Sequence, residues 1–235
     1  MGKRFTFGMI LTLALTLGAS VSFGAGELTR ALRTQPKGVA QITPKLFIDD
    51  PTQAVQAQQA LVLARRDVAA FFGRKRGDPR LILCTTTPCR DRFLGRNGPI
   101  GKTWGTQLVV LGPNGVTRLT MAHELTHVEL HRLAGLRVAR FPAWFSEGLA
   151  GWVSGDIRLN ASRPALRARI KQARRFGQWN QAVDEMGWKS AYGAAMDLVA
   201  GVADAAGPEA LRGLIAKVAA GGDFNRLWQA LPGAR

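Results

Sequence analysis

The stretch His123-Glu124-Leu125-Thr126-His127 is the part of this 235-residue chain from which both its fold and its chemistry can be predicted. In an α-helix, residues four apart lie one above the other on the same face, so the two imidazoles can hold one metal ion. The pattern H-E-x-x-H is typical of zinc sites in which the glutamate is the general base for a zinc-activated water molecule. The sequence therefore predicts a Zn²⁺ site on a helix spanning about 117–133.

A second segment, Pro142-Ala143-Trp144-Phe145-Ser146-Glu147-Gly148, can supply the third protein ligand that a catalytic zinc ion normally takes. Glu147 lies twenty residues after His127 (147 − 127 = 20). This spacing leaves room for the first helix to end, for the chain to turn, and for a second helix over 142–153 to present the carboxylate. Proline suits the first position of such a helix, where its missing N–H would have no partner.

The chain has three histidines, and the last of them, His131, needs a separate decision. Three imidazoles at successive helical turns span about 12 Å along the axis. Zinc–nitrogen bonds are only about 2.0–2.1 Å long, so one ion cannot bind all three. We expect His131 to lie at the surface or beside the ligands.

The two segments together, H-E-L-T-H and P-A-W-F-S-E-G, resemble the gluzincin group of zinc metallopeptidases, and more narrowly the bacterial peptidase-MA-like domains. The resemblance covers about residues 80–205 and is specific over 122–150. It implies that His123, His127 and Glu147 bind zinc, that Glu124 is the general base, and that the substrate is a peptide or protein. The sequence departs from the thermolysin pattern at Gly151, where an aspartate normally orients a ligand histidine; Asp156 is a weak substitute.

Tyr192 is the only tyrosine in the chain and lies near the start of a predicted helix. The segment Ala191-Tyr192-Gly193 resembles a motif of the peptidase-MA-like domains. Several gluzincins use a downstream tyrosine to donate a hydrogen bond to the oxyanion of the tetrahedral intermediate, and the resemblance implies that catalytic role here. The alternative is a half-buried aromatic residue between two helices.

The first residues predict export. Lys3 and Arg4 precede an apolar run over 5–17 and a series of small residues, which is the pattern of a signal peptide over 1–24. An uncleaved inner-membrane anchor over 5–26 is the alternative. The protein is therefore expected in the periplasm or outside the cell. In such a compartment the two cysteines, Cys84 and Cys89, are expected to form a disulfide rather than a zinc site.

The formal net charge is +16, which suits anionic partners such as an envelope surface, but a general arginine bias is the simpler explanation. The most basic segment is expected to form one face of a helix and contains Arg163, Arg167, Arg169, Lys171, Arg174 and Arg175. No nucleic-acid-binding motif accompanies it, so no specific nucleic acid is expected.

Apolar periodicity predicts an α+β fold, with a small sheet and the site helix followed by a mainly helical C-terminal half, in a single domain over 25–235. We predict a surface loop over 90–102 and a strand over 103–111, which is either a core strand or the edge strand that binds extended peptide in the resembled group. The predicted C-terminal helices are 164–176, 190–206, 208–220 and 223–230.

Two functions follow from these observations. The first is a zinc-dependent peptidase of the bacterial cell envelope. The alternative is a non-catalytic, cationic envelope-binding protein that retains a zinc site. A closed structural zinc site would need a fourth protein ligand, usually a cysteine or a histidine. The histidines are accounted for and the cysteines are expected to be bridged, which favours an open catalytic site, and the intact Glu124 also favours the enzyme.

Overall fold

The computed structural model describes residues 31–32, 35–73, 77–156 and 164–234. Its α+β architecture agrees with the prediction: a five-stranded mixed sheet is followed by a mainly helical C-terminal half. The strands are β1 (Ala40–Thr43), β2 (Leu46–Ile48), β3 (Arg80–Leu83), β4 (Gly101–Trp104) and β5 (Leu108–Leu111). The helices are α1 (Ala54–Phe72), α2 (Thr87–Leu94), α3 (Arg118–Ala134), α4 (Ala143–Ser154), α5 (Pro164–Ile170), α6 (Phe176–Met186), α7 (Trp188–Ala206), α8 (Pro208–Ala219) and α9 (Phe224–Gln229).

The sheet has the strand order β1-β2-β3-β5-β4, with parallel pairs in the centre and an antiparallel strand at each edge. The three central strands are almost entirely apolar and buried, as parallel strands covered on both faces must be. On one face, α1 and α3 pack against alternate strand residues such as Leu81 and Val109. On the other face, α2 packs against the intervening residues such as Ile82 and Val110.

The helical half surrounds α4, which is buried over most of its length. Trp144 and Phe145 pack edge-on against Phe224 and Trp228 of α9. Aromatic pairs of this kind add about 0.5–1.5 kcal/mol each beyond the area that they bury. This cluster fixes α4 against the C-terminal helices and so fixes the position of Glu147.

Three details of the predicted secondary structure are wrong. The single strand over 103–111 is a hairpin, since Gly105 has a φ of +57° and Gln107 N donates to Trp104 O at 3.2 Å. The beginning of the predicted loop over 90–102 belongs to α2, which Thr86 caps by accepting a hydrogen bond from Cys89 N. The predicted helix over 164–176 ends at residue 170, and α6 follows it as a separate helix.

A disulfide joins Cys84 to Cys89 and ties the end of β3 to α2, as predicted. Asp49 fixes the same loop from β2, because its carboxylate accepts hydrogen bonds from the amides and hydroxyls of Thr85 and Thr86 at 2.6–3.0 Å. Burial alone would raise the pKa of Asp49, but these four bonds outweigh it and lower that pKa.

The predicted signal peptide or anchor lies outside the described residues. Among the helices that the structure describes, none is long and apolar enough to cross a membrane.

The predicted basic segment is divided among several contacts instead of forming one helical face. Arg167 pairs with Asp197 at 3.0 Å, and Arg169 pairs with Glu185. Lys171 and Arg174 lie beyond the end of α5 and donate to Ala234 O and Asn225 Oδ1. Four of the six cations thus make contacts within the C-terminal half. Arg163 lies outside the described residues.

Candidate metal centre

The helix that carries the two histidines is built as its sequence predicts. Thr117 caps its first turn by accepting a hydrogen bond from Thr120 N at 3.2 Å, and Gly135 ends it. Apolar residues such as Leu125 and Val128 face the sheet. His123 and His127 therefore project together from another side of α3, toward α4.

The three predicted ligands converge. His123 Nε2 lies 3.2 Å from His127 Nε2 and 3.2 Å from Glu147 Oε2, and His127 Nε2 lies 3.6 Å from Glu147 Oε1. One ligand atom from each residue can be chosen so that all lie within 4.8 Å of one another. For zinc bonds of about 2.0–2.1 Å, two ligands of a tetrahedral site are about 3.3–3.4 Å apart. The donor set and its spacing therefore fit a zinc ion.

Burial and mutual charge shift the pKa values of two residues in this group, Glu147 and His127. Desolvation would raise the pKa of Glu147, but the charge of His127 and hydrogen bonds from both imidazoles hold that pKa well below its usual value. Desolvation would likewise lower the pKa of His127, but the Glu147 carboxylate outweighs it and raises that pKa. The site thus holds a negative carboxylate beside imidazoles, as a cation site should.

Glu124 lies outside this cluster and is held by the edge strand β4. Its Oε2 accepts a hydrogen bond from the Thr103 hydroxyl at 2.7 Å, and the same hydroxyl lies 3.1 Å from its backbone oxygen. Glu124 is buried, with 7% of the residue's surface exposed. Glu124 is therefore not one of the three grouped residues, but it is near enough for its charge to help raise the pKa of His127.

Tyr192 also lies at the centre, on α7. The centroid of its ring is 5.9 Å from that of His123 and 4.8 Å from that of Trp179. Burial raises the pKa of the Tyr192 hydroxyl well above its usual value, and the Glu147 charge raises it further. The hydroxyl therefore stays protonated and can donate a hydrogen bond at neutral pH.

Two other sequence predictions concern the surroundings. His131 is outside the ligand cluster, as expected, and burial together with the charge of His127 lowers its pKa. Gly151 does not supply the missing carboxylate; its carbonyl oxygen accepts hydrogen bonds from Ser154 Oγ at 2.9 Å and Asp156 N at 3.3 Å. Asp156 is buried just after α4, where its backbone N–H helps to end the helix.

Sequence reasoning missed three residues of the site: Thr103, Trp179 and Gly148. The first two act through contacts with residues far away in the chain, which local patterns do not reveal. Gly148 had a signal, because it follows the predicted ligand inside a helix, where glycine is unfavourable. A Cβ at Gly148 would lie 2.3 Å from the carbonyl oxygen of Ala195, so only glycine lets α7 approach α4 this closely.

Comparison with protein-family models gives no match, and neither do searches of the curated proteins and of the solved structures. The case for this site therefore rests on its own residues and their geometry.

Proposed function

We propose that the protein is a zinc-dependent metallohydrolase that acts as a peptidase of the bacterial cell envelope. The observation that carries the proposal is the convergence of His123, His127 and Glu147, with Glu124 adjacent in sequence but outside the ligand group. Two imidazoles and one carboxylate are the protein ligands of several catalytic zinc sites, which keep a further position for water or substrate.

The residues around the ligands support hydrolysis in particular. When bound, zinc would polarise the scissile carbonyl and lower the pKa of the attacking water. The Glu124 carboxylate takes a proton from that water and delivers it to the leaving amine. The Tyr192 hydroxyl, which stays protonated at neutral pH, donates a hydrogen bond to the oxyanion that develops on the carbonyl.

The cellular location is proposed from two features. The N-terminal sequence has the pattern of a signal peptide, and the Cys84–Cys89 disulfide is of the kind that persists in oxidising compartments. The substrate would accordingly be a peptide or protein of the envelope, and contact with an anionic envelope surface remains a proposal from the net charge.

The test compares the purified mature protein with a Glu124→Gln variant on a diverse peptide mixture, with and without a chelator. Glutamine has nearly the same size, so zinc content should stay near one ion per chain. It cannot accept the proton, so turnover should fall by a factor of about 10² or more.

A zinc-loaded wild-type protein that cleaves nothing in a broad set of peptides and proteins would overturn the peptidase proposal. The non-catalytic, cationic envelope-binding protein would then be the better explanation. Its first measurement would be salt-dependent binding to anionic vesicles, which screening should weaken as the ionic strength rises.

A further inference from the structure

Thr103 and Gly101 lie on the same side of β4, two residues apart, and both face Glu124. Successive side chains of a strand alternate between its faces, so residues 101 and 103 point to the same face. The strand is at the edge of the sheet, packed against α3 on this side. The Glu124 carboxylate therefore lies against these two residues of β4.

Each residue constrains a different oxygen of that carboxylate. The Thr103 hydroxyl donates to Oε2 at 2.7 Å. Oε1 lies above Gly101, where a Cβ would come within 2.6 Å of it. A hydroxyl carries one hydrogen, and the nearer of its two acceptors is the carboxylate rather than the Glu124 backbone oxygen at 3.1 Å.

We propose that Thr103 is a positioning residue, which holds the Glu124 carboxylate in the orientation that proton transfer requires, with Gly101 leaving the space for it. The inference rests on the proposed function, because it assigns Thr103 a role in the turnover that Glu124 promotes. A buried carboxylate with one oxygen fixed by a donor has few orientations available. A general base gains from this restriction, since its geometry must be right before its pKa matters.

The kinetic test uses Thr103→Val, which keeps the shape of the side chain and removes the hydroxyl. The turnover number should fall about tenfold, which corresponds to about 1.4 kcal/mol in the barrier. KM and zinc content should stay near their wild-type values. Thr103→Ser restores the hydroxyl and should recover most of the turnover, which a purely structural role of the methyl group would not allow.

Two further variants complete the kinetic set. Gly101→Ala should also lower the turnover number, because its methyl group must push the Glu124 carboxylate aside while the backbone stays in place. Thr106→Val is the matched control, since Thr106 is exposed in the β4–β5 turn, and it should leave both constants unchanged.

A second measurement does not depend on activity. In metal-free protein, thermal unfolding of Thr103→Val, Glu124→Gln and the double variant forms a double-mutant cycle. If the contact exists, the double variant should lose less stability than the sum of the two single losses.

The outcomes separate this inference from the proposed function. Coupling between Thr103 and Glu124 in a protein without any activity would sustain the contact and reject the peptidase. An active wild-type enzyme whose Thr103→Val variant has an unchanged turnover number would overturn the positioning role, and so would a Thr103→Ser variant as impaired as Thr103→Val.

Discussion

Replacing Gly148 with alanine tests whether close packing of α4 against α7 builds the candidate metal centre. A Cβ at this position would lie 2.3 Å from the carbonyl oxygen of Ala195 and 2.6 Å from its carbonyl carbon. Unstrained heavy atoms sit about 3.5 Å apart, so the two helices would have to separate locally by about 1 Å. Both obstacles are backbone atoms, which cannot rotate away as a side chain can.

The expected loss follows from two opposing effects. Overpacking a filled interior costs about 1–3 kcal/mol. Alanine in place of a helical glycine returns about 1 kcal/mol, so the net loss should be up to about 2 kcal/mol. For a chain of this size, each kcal/mol lost lowers Tm by about 2–4 °C.

Gly213 provides the matched control, because it also lies inside a helix, α8, yet a Cβ there would meet no atom within 4 Å. Gly213→Ala should therefore stabilise the protein by about 0.5–1 kcal/mol. Thermal unfolding followed by circular dichroism, in chelator so that metal does not contribute, compares the two variants directly.

The same substitution should weaken metal binding, because Glu147 is the preceding residue of α4 and Tyr192 lies on α7. Changes beside metal ligands typically reduce metal affinity by about 10- to 100-fold. Zinc titration of the purified variant measures this affinity. The reasoning is refuted if Gly148→Ala is as stable as Gly213→Ala and binds zinc as tightly as the wild type.

Two more predictions concern single side chains. Alanine at His123, His127 or Glu147 should in each case abolish tight zinc binding, as measured by metal analysis. The His131→Ala variant should retain about one ion per chain. Loss of zinc from that variant would contradict the assigned ligands. The folded state lowers the pKa of Asp49, so its carboxylate stabilises the protein above the ordinary pKa of 3.8 and loses this effect as the pH falls through the folded value. Asp49→Asn should cost about 1 kcal/mol at pH 7, after allowance for its partial exposure, and urea unfolding should show the difference from wild type shrinking toward pH 3.

The parts of the site that the sequence predicts are those determined locally. His123 and His127 are one helical turn apart, so their side-by-side placement needs only that the segment be helical, and Thr117 and Gly135 mark its ends. Glu147 required one further assumption, that the chain turns back between the two helices. Tyr192 was placed by its motif, and the structure locates it beside the ligands.

The parts that the sequence does not predict depend on pairing between distant segments. The bond between Thr103 and Glu124 needs β4 to end the sheet beside α3, and strand order is not encoded in the periodicity of either segment. The hairpin was missed because the apolar residues over 108–111 continue the pattern of the strand before them. Only Gly105, with its positive φ, marks the turn.

The junction of the two halves of the fold explains why the site is both buried and polar. α3 packs on the sheet and α4 packs in the helical half, so the three candidate ligands face each other across the boundary. A carboxylate buried there is stable only beside positive charge. The pKa of Glu147 is lowered and the pKa of His127 is raised because the buried carboxylate requires a positive charge beside it. Either a proton on the imidazole or a metal ion can supply that charge. Metal uptake should consequently release protons, and apparent affinity should rise with pH until the His127 imidazole is neutral.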